Sequence, residues 1–279
     1  MKTTPHNGNV VLLDVGGTFI KCRDGRSVPV DSATGTREAV AASLRSAVGA
    51  EPPTALAAAV PGPFDYARGI FLMRHKFASV YGLSFRDLAG IEPSVPCVFL
   101  HDVVAALEGE LVRLGRAGRT ALVTLGTGLG FSHAVDGVAQ KNEMGSPLRS
   151  LYNLPFRGGV LEDYVSARGI LRAWSQISGR STDGLSVKDL AQLAYAGDTA
   201  ALRAFEATGE AFAQGAAPLL EELGIDKLVF SGQISRSFSL LEGPVVRGLG
   251  KEISITVSPD IRQSVFAGLS AAIKDIINT

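Results

Sequence analysis

The chain has 279 residues, 46% of them apolar and 19% charged, and its 27 basic side chains balance 27 acidic ones. Zero net charge argues against a nucleic-acid partner, because gripping a phosphate backbone needs a basic surface. The length favours two lobes over one core, Cys22 and Cys97 read as reduced thiols of a cytoplasmic protein, and no apolar run reaches the ~20 residues that span a bilayer.

Residues 10–13 form a continuous apolar run that predicts a buried strand, and a turn at Gly16-Gly17 leads into a second β run ending at Lys21. The glycines tolerate positive φ and let backbone N–H groups approach a ligand closely. A helix is predicted over 37–48, with Val40, Leu44 and Val48 on one face. Residues 55–60 form another buried strand, closed by a rigid turn in which Pro61 and Pro63 flank Gly62. A short strand over 96–100 runs straight into His101 and Asp102. A helix follows over 103–114, with Ala105, Leu107, Leu111 and Leu114 inward.

Residues 121–125 repeat the character of the first strand, and Gly126-Thr127-Gly128 repeats the turn. Beyond it, helices are predicted over 159–174, 187–196 and 199–223, and strands over 227–230 and 254–257. A closing helix over 265–277 carries Val265, Leu269, Ile273 and Ile276 on one stripe. Strand–helix alternation gives the α/β class. No Ser/Gly tether separates the halves, so structured crossings are expected to join the lobes.

A lone GG or GTG turn is more often a plain hairpin than a ligand site. Two such turns, each after a buried strand and each carrying a threonine, Thr18 and Thr127, suggest a pair of phosphate-gripping loops. Asp14 strengthens that reading, since a carboxylate ending an apolar strand is unfavourable unless solvated or holding a cation. Asp102 reads first as an N-cap, the commoner role of an Asp before a helix, and also as a general base. The two roles are compatible, because a helix N-terminus favours the ionised form. Glu143 and Glu162 flank the loop after the second hairpin, and Gly158-Gly159 is expected to open the helix of Glu162. His6, His75 and His133 fit no metal spacing, so no zinc site is expected. A P-loop is absent from the sequence. GTGLGF has Phe131 where a dinucleotide fingerprint needs glycine, and it leads into a strand.

Taken in order, DVGGTFIK (14–21), PGPFD (61–65), HDVVAALEGE (101–110), TLGTGLG (124–130), EMGS (143–146), GGVLEDY (158–164) and VFSGQIS (229–235) resemble the ROK family of bacterial sugar kinases and repressors, within the actin-like ATPase superfamily. The resemblance runs nearly end to end. It implies a two-lobed actin-like, ribonuclease H-like α/β fold with ATP in the cleft between lobes, and usually a homodimer. The first lobe is expected over 1–104, completed by the terminal helix 262–279, and the second over 105–261. ATP and Mg²⁺ are the implied cofactors, with Asp14 beside the Mg²⁺–phosphate group. Gly16, Gly17, Thr18 and Lys21 would serve the first phosphate loop, Gly126, Thr127 and Gly128 the second, and Gly232 and Gln233 the adenosine pocket. Asp102 would accept the proton of the attacking hydroxyl, and Pro61, Gly62, His101, Glu143, Ser146 and Glu162 would line the sugar.

Three departures stand out. The family usually reads Asn-Asp at His101-Asp102 and Glu-x-Gly-His where Ser146 closes EMGS. The zinc loop that normally precedes Glu162 is replaced by LRSLYNLPFRGGV. The phosphate set is kept while the sugar-reading set is altered, which implies ATP-dependent phosphorylation of a hexose or a sugar-like polyol such as a cyclitol. A sugar-responsive repressor needs a DNA-binding domain first, and the 13 residues before Asp14 are too few for a helix-turn-helix. A non-catalytic sugar-binding regulator is the other alternative, against which stand Asp14, Asp102 and both loops. The partners expected are therefore a small sugar or polyol and ATP, with no nucleic acid and no membrane.

Overall fold

The computed structural model describes residues 8–250 and 252–277; His6 lies outside the described residues. The chain divides into two compact units. One holds the residues up to Leu114, Lys141–Pro147 and those from Arg262 on, and the other holds Gly115–Gln140 and Leu148–Ile261.

The first unit opens with β1 (Val10–Val15), β2 (Phe19–Cys22) and β3 (Ser27–Pro29), followed by α1 (Arg37–Val48) and β4 (Ala55–Val60). Short strands β5 (Phe64–Asp65) and β6 (Ile70–Phe71) and helix α2 (Phe85–Ala89) lead to β7 (Cys97–His101) and α3 (Asp102–Leu114). The sheet order is β3-β2-β1-β4-β7, with an antiparallel meander on one side and parallel β1, β4 and β7 on the other. Helix α1 matches its predicted range because both ends are specified. The Thr36 hydroxyl accepts the Ala39 N–H at 3.3 Å, and Gly49 at φ 98° ends the helix. Every residue of β4 is buried, and alternate residues Leu56, Ala58 and Val60 join the core that takes Val40 and Leu44 of α1. Alanines at the other positions let α3 approach the opposite face closely.

The second unit carries β8 (Arg119–Leu125), β9 (Leu129–Val135), β10 (Val138–Ala139), β11 (Pro155–Phe156) and β12 (Gly159–Val160), then α4 (Ala167–Ser178), α5 (Val187–Tyr195) and α6 (Thr199–Glu222). Strand β13 (Lys227–Ser231), helix α7 (Glu242–Leu249) and strand β14 (Ser254–Val257) complete it. Its sheet order, β10-β9-β8-β13-β14, repeats the plan of the first sheet, a meander followed by two parallel strands. Phe205, Phe212, Phe230 and Trp174 anchor its core.

The helix expected over 159–174 is shorter than the pattern indicated. Glu162 sits in a 3₁₀ turn, Leu161–Asp163, after β12, and α4 starts only at Ala167. Local chemistry sets this boundary. The Asp163 carboxylate accepts the Val160 N–H at 3.1 Å, and the Ser166 hydroxyl caps Gly169 N–H at 3.3 Å.

The closing helix α8 (Ile261–Ile277) crosses α3 inside the first unit. Added Cβ atoms at Gly109 and Gly268 would lie 1.8 Å from Ser264 O and 2.0 Å from Ala105 O, so both glycines are required by backbone contact. This crossing keeps α3 with the first unit, and the division falls after Leu114, later than the expected 104. Glu110, 1% exposed, pairs with Arg113 at 2.6 Å and receives the Ser264 hydroxyl at the same crossing. Val265, Leu269 and Ile273 are buried as expected, whereas Ile276 is 49% exposed. Among the described residues, no helix is long and apolar enough to cross a membrane.

Candidate active site

The first hairpin closes tightly. Gly16 N–H donates to Phe19 O at 2.9 Å, and Asp14 stands directly opposite Lys21 in the β1–β2 register. Gly16, Gly17, Gly126 and Gly128 all lie outside the left-handed region that glycine tolerates. Close approach explains two of them instead. A Cβ would lie 2.8 Å from Phe19 O at Gly16 and 3.0 Å from Ser32 Oγ at Gly17. Thr18, at the turn, is exposed.

Lys21 Nζ lies 3.2 Å from Asp14 Oδ2. Burial pushes the Asp14 carboxyl above its usual range and the charge of Asp102 adds to that, while Lys21 pulls it back. Among the described residues, no three or more His, Cys, Asp or Glu side chains converge as a metal cluster. A single half-buried carboxylate suits Mg²⁺, which takes one or two carboxylates and completes its shell with phosphate and water.

At the end of β7, His101 Nδ1 donates to Asp102 Oδ1 at 2.7 Å, and the Val103 N–H reaches the same oxygen at 2.7 Å. Asp102 is the first residue of α3 and engages its immediate neighbour, not an N–H two or three residues on, so it is not the N-cap that the sequence suggests. Burial alone would raise the Asp102 carboxyl. The hydrogen bond and charge of His101, the Val103 N–H and the charge of Lys76 outweigh burial and hold it below the usual carboxylate range.

Two residues here escaped sequence reasoning. The Lys76 stem lies beside the first turn, with Cδ 3.8 Å from where a Gly17 Cβ would stand, and its charge acts on Asp102. The following residue, Phe77, is buried at φ 54° and donates its N–H to Ser32 O at 2.6 Å, fixing this segment against the same turn. Tyr66 donates to Val60 O at 2.9 Å, lies 5.8 Å ring to ring from His101, and gives its N–H to Met144 O at 3.1 Å. The YARG run after PGPFD gave no cue to that contact, and a lone lysine such as Lys76 gives none at all.

Tyr66 thereby gathers the substrate-side residues of the first unit. Gly62 packs on His101, where a Cβ would lie 3.2 Å from Nε2, and Pro61 precedes it at the end of β4. Glu143 and Ser146 lie on a turn built by Asn142, whose Oδ1 accepts the Met144 and Ser146 N–H groups at 3.0 and 3.1 Å. Gly145 at φ 86° would bring a Cβ 2.8 Å from Tyr66 Cβ, so this turn seats only with glycine there. Glu143 is exposed and Ser146 half-buried.

In the second unit, Gly126 N–H donates to Gly128 O at 3.1 Å, and Gly126 O accepts the N–H of Ala167, the first residue of α4, at 2.9 Å. Thr127 is exposed between them. Glu162 Oε2 accepts the Leu129 N–H at 2.9 Å and stands 2.7 Å from a Cβ position on Gly128. Gly232 does have positive φ, 96°, and would bring a Cβ 2.4 Å from Leu125 O, so the start of the Gln233 segment lies against the end of β8. Unit one thus gathers Asp14, Gly16, Gly17, Thr18, Lys21, Pro61, Gly62, His101, Asp102, Glu143 and Ser146. Unit two gathers Gly126, Thr127, Gly128, Glu162, Gly232 and Gln233.

The chain is similar in structure to a glucokinase from Parabacteroides distasonis, at 20% identity, 99% of each chain and a TM-score of 0.79. It is also similar to a ROK family glucokinase from Streptomyces griseus solved with glucose and AMPPNP, at 19% identity over 95% of this chain and 99% of that one, TM-score 0.73. A ROK family transcriptional regulator, a homologue of the E. coli MLC protein, matches at 16% identity over 96% of this chain and 79% of that one, TM-score 0.75. No curated protein sequence matches the chain. The fold is the α/β fold of the actin-like ATPases. The ROK family model matches residues 11–256, and the chain belongs to the ROK family.

Proposed function

We propose that the protein is an ATP- and Mg²⁺-dependent kinase that phosphorylates a hydroxyl of a hexose or a sugar-like polyol. The carrying observation is the geometry of Asp102, whose Oδ1 accepts two hydrogen bonds while Oδ2 is left to act as a base; the same contacts hold its pKa below the usual carboxylate range. Family membership and the likeness to a glucokinase bound to glucose and AMPPNP support the substrate class and the donor.

In this reading Asp102 takes the proton of the attacking hydroxyl, whose oxygen then bonds to the γ-phosphorus as ADP leaves. Backbone N–H groups of Gly16, Gly17, Thr18 and of Gly126, Thr127, Gly128 orient the phosphates, with the Lys21 and Lys76 charges behind the first loop. Mg²⁺, held by Asp14, would offset phosphate charge. Gly232 and Gln233 receive the adenosine. Pro61, Gly62, Glu143, Ser146 and Glu162 select the acceptor. The altered Ser146 position favours an acceptor other than the family's common one, a cyclitol among them.

The test is ATP-to-ADP turnover with Mg²⁺ against glucose, mannose, N-acetylmannosamine and inositol. Acceptor-dependent turnover is expected. Binding of a sugar with no turnover on any acceptor would favour a regulator.

A further inference from the structure

We propose that His101 is a positioning residue for Asp102 and does not read the sugar: its Nδ1–H, with the Val103 N–H, saturates Oδ1 of Asp102 and leaves Oδ2 as the oxygen that takes the substrate proton. The inference rests on the reading of Asp102 as the base. A carboxylate oxygen only accepts, so the proton in the 2.7 Å contact between Nδ1 and Oδ1 sits on Nδ1. The second donor, the Val103 N–H, lies 2.7 Å from the same oxygen and 3.4 Å from Nδ1; the short contact is the hydrogen bond, and a protonated Nδ1 does not accept the long one. Two donors on one oxygen fix the plane of the carboxylate. Among the described residues, none donates to Oδ2.

The imidazole is held from its other side as well. A Cβ at Gly62 would lie 3.2 Å from Nε2 and 3.3 Å from Cδ2, so the outer edge of the ring is filled by backbone. The Tyr66 ring stands 5.8 Å away, with its hydroxyl tied to Val60. The exposed partner of the pair is the carboxylate: the Asp102 side chain is 44% exposed and that of His101 20%. A group arranged in this way lowers the freedom of the base and fixes which oxygen faces the substrate, the role an orienting partner plays for a catalytic base. The proton arrives on Oδ2 and leaves to solvent, so His101 changes charge in no step.

The geometry supplies a discriminating pair of substitutions. An asparagine at 101 puts its amide nitrogen where Nδ1 stands, while a glutamine reaches towards Nε2. On whichever acceptor the wild-type protein turns over fastest among glucose, mannose, N-acetylmannosamine and inositol, His101→Ala is expected to lower kcat ~10- to 100-fold with KM within about twofold. His101→Asn restores most of that kcat, and His101→Gln does not. A rise in acceptor KM with kcat kept, rescued by glutamine and not asparagine, would overturn the proposal and make His101 a sugar-reading residue. Nitrogen-15 NMR of the whole chain gives a readout free of any acceptor. The His101 signal, assigned by its loss in His101→Asn, is expected as the Nδ1–H tautomer, reverting to Nε2–H in Asp102→Ala. An Nε2–H tautomer in the wild-type protein also overturns the proposal. Absence of turnover on every acceptor would instead remove the kinase reading, and the tautomer would still decide the pairing.

Discussion

Glu162 Oε2 accepts the backbone N–H of Leu129 at 2.9 Å, which ties a carboxylate expected at the sugar to the strand leaving the second glycine turn. One residue thereby bears on both the acceptor and the turn that would hold a phosphate. Glu162→Ala leaves that N–H without its partner, a loss of about 1–2 kcal/mol of stability. The expected kinetic result is a rise in KM for acceptor and ATP together. A rise for the acceptor alone, at unchanged thermal stability, would limit Glu162 to the sugar.

Gly128→Ala tests the same link from the other side. Its Cβ would come 2.7 Å from Glu162 Oε2 and push the carboxylate off Leu129. The variant is expected to raise the KM for acceptor and for ATP together, as Glu162→Ala does. A rise in the KM for ATP alone, with the KM for the acceptor unchanged, would argue against steric displacement of Glu162.

Lys21 lowers a carboxyl that burial raises. Its positive charge favours ionised Asp14, so removing it must move the Asp14 pKa upward. Lys21→Met is therefore expected to shift the acid limb of kcat/KM to higher pH and to raise the Mg²⁺ concentration needed for half-maximal rate. Asp102, held below the usual range, keeps its ionised form to lower pH and does not set that limb. An acid limb at the same pH in the variant would contradict the role of Asp14.

Much of this architecture is legible in the chain because its signals are local. The apolar run before Asp14, the two glycine turns and the capped α1 each depend on neighbours within a few residues. The FRGGVLEDYVS pattern puts Glu162 in a helix because it does not reveal that the Asp163 side chain folds back on the Val160 N–H. The two glycine turns are legible as turns, but their neighbours are not: only the folded chain brings Phe19 O to Gly16, Ser32 Oγ to Gly17 and Glu162 Oε2 to Gly128. Tyr66 and Lys76 were invisible because their meaning lies in contacts with Met144 and Gly17, which only the folded chain brings together.

The α3–α8 crossing is the most sensitive structural point. Gly109→Ala would put a Cβ 1.8 Å from Ser264 O beside the buried Glu110, and backbone cannot yield that far. A loss of about 3 kcal/mol or more is expected. Chemical denaturation measures it, and a loss under about 1 kcal/mol would mean that the helices separate readily.

The role of Asp102 is tested most directly by comparing ATP turnover by the wild-type protein and Asp102→Asn across the acceptor panel, alongside ATP binding and thermal stability. Acceptor-dependent ADP formation is expected, falling by at least ~100-fold in the variant with folding and ATP binding kept. Undiminished turnover in Asp102→Asn would remove Asp102 from the role of base.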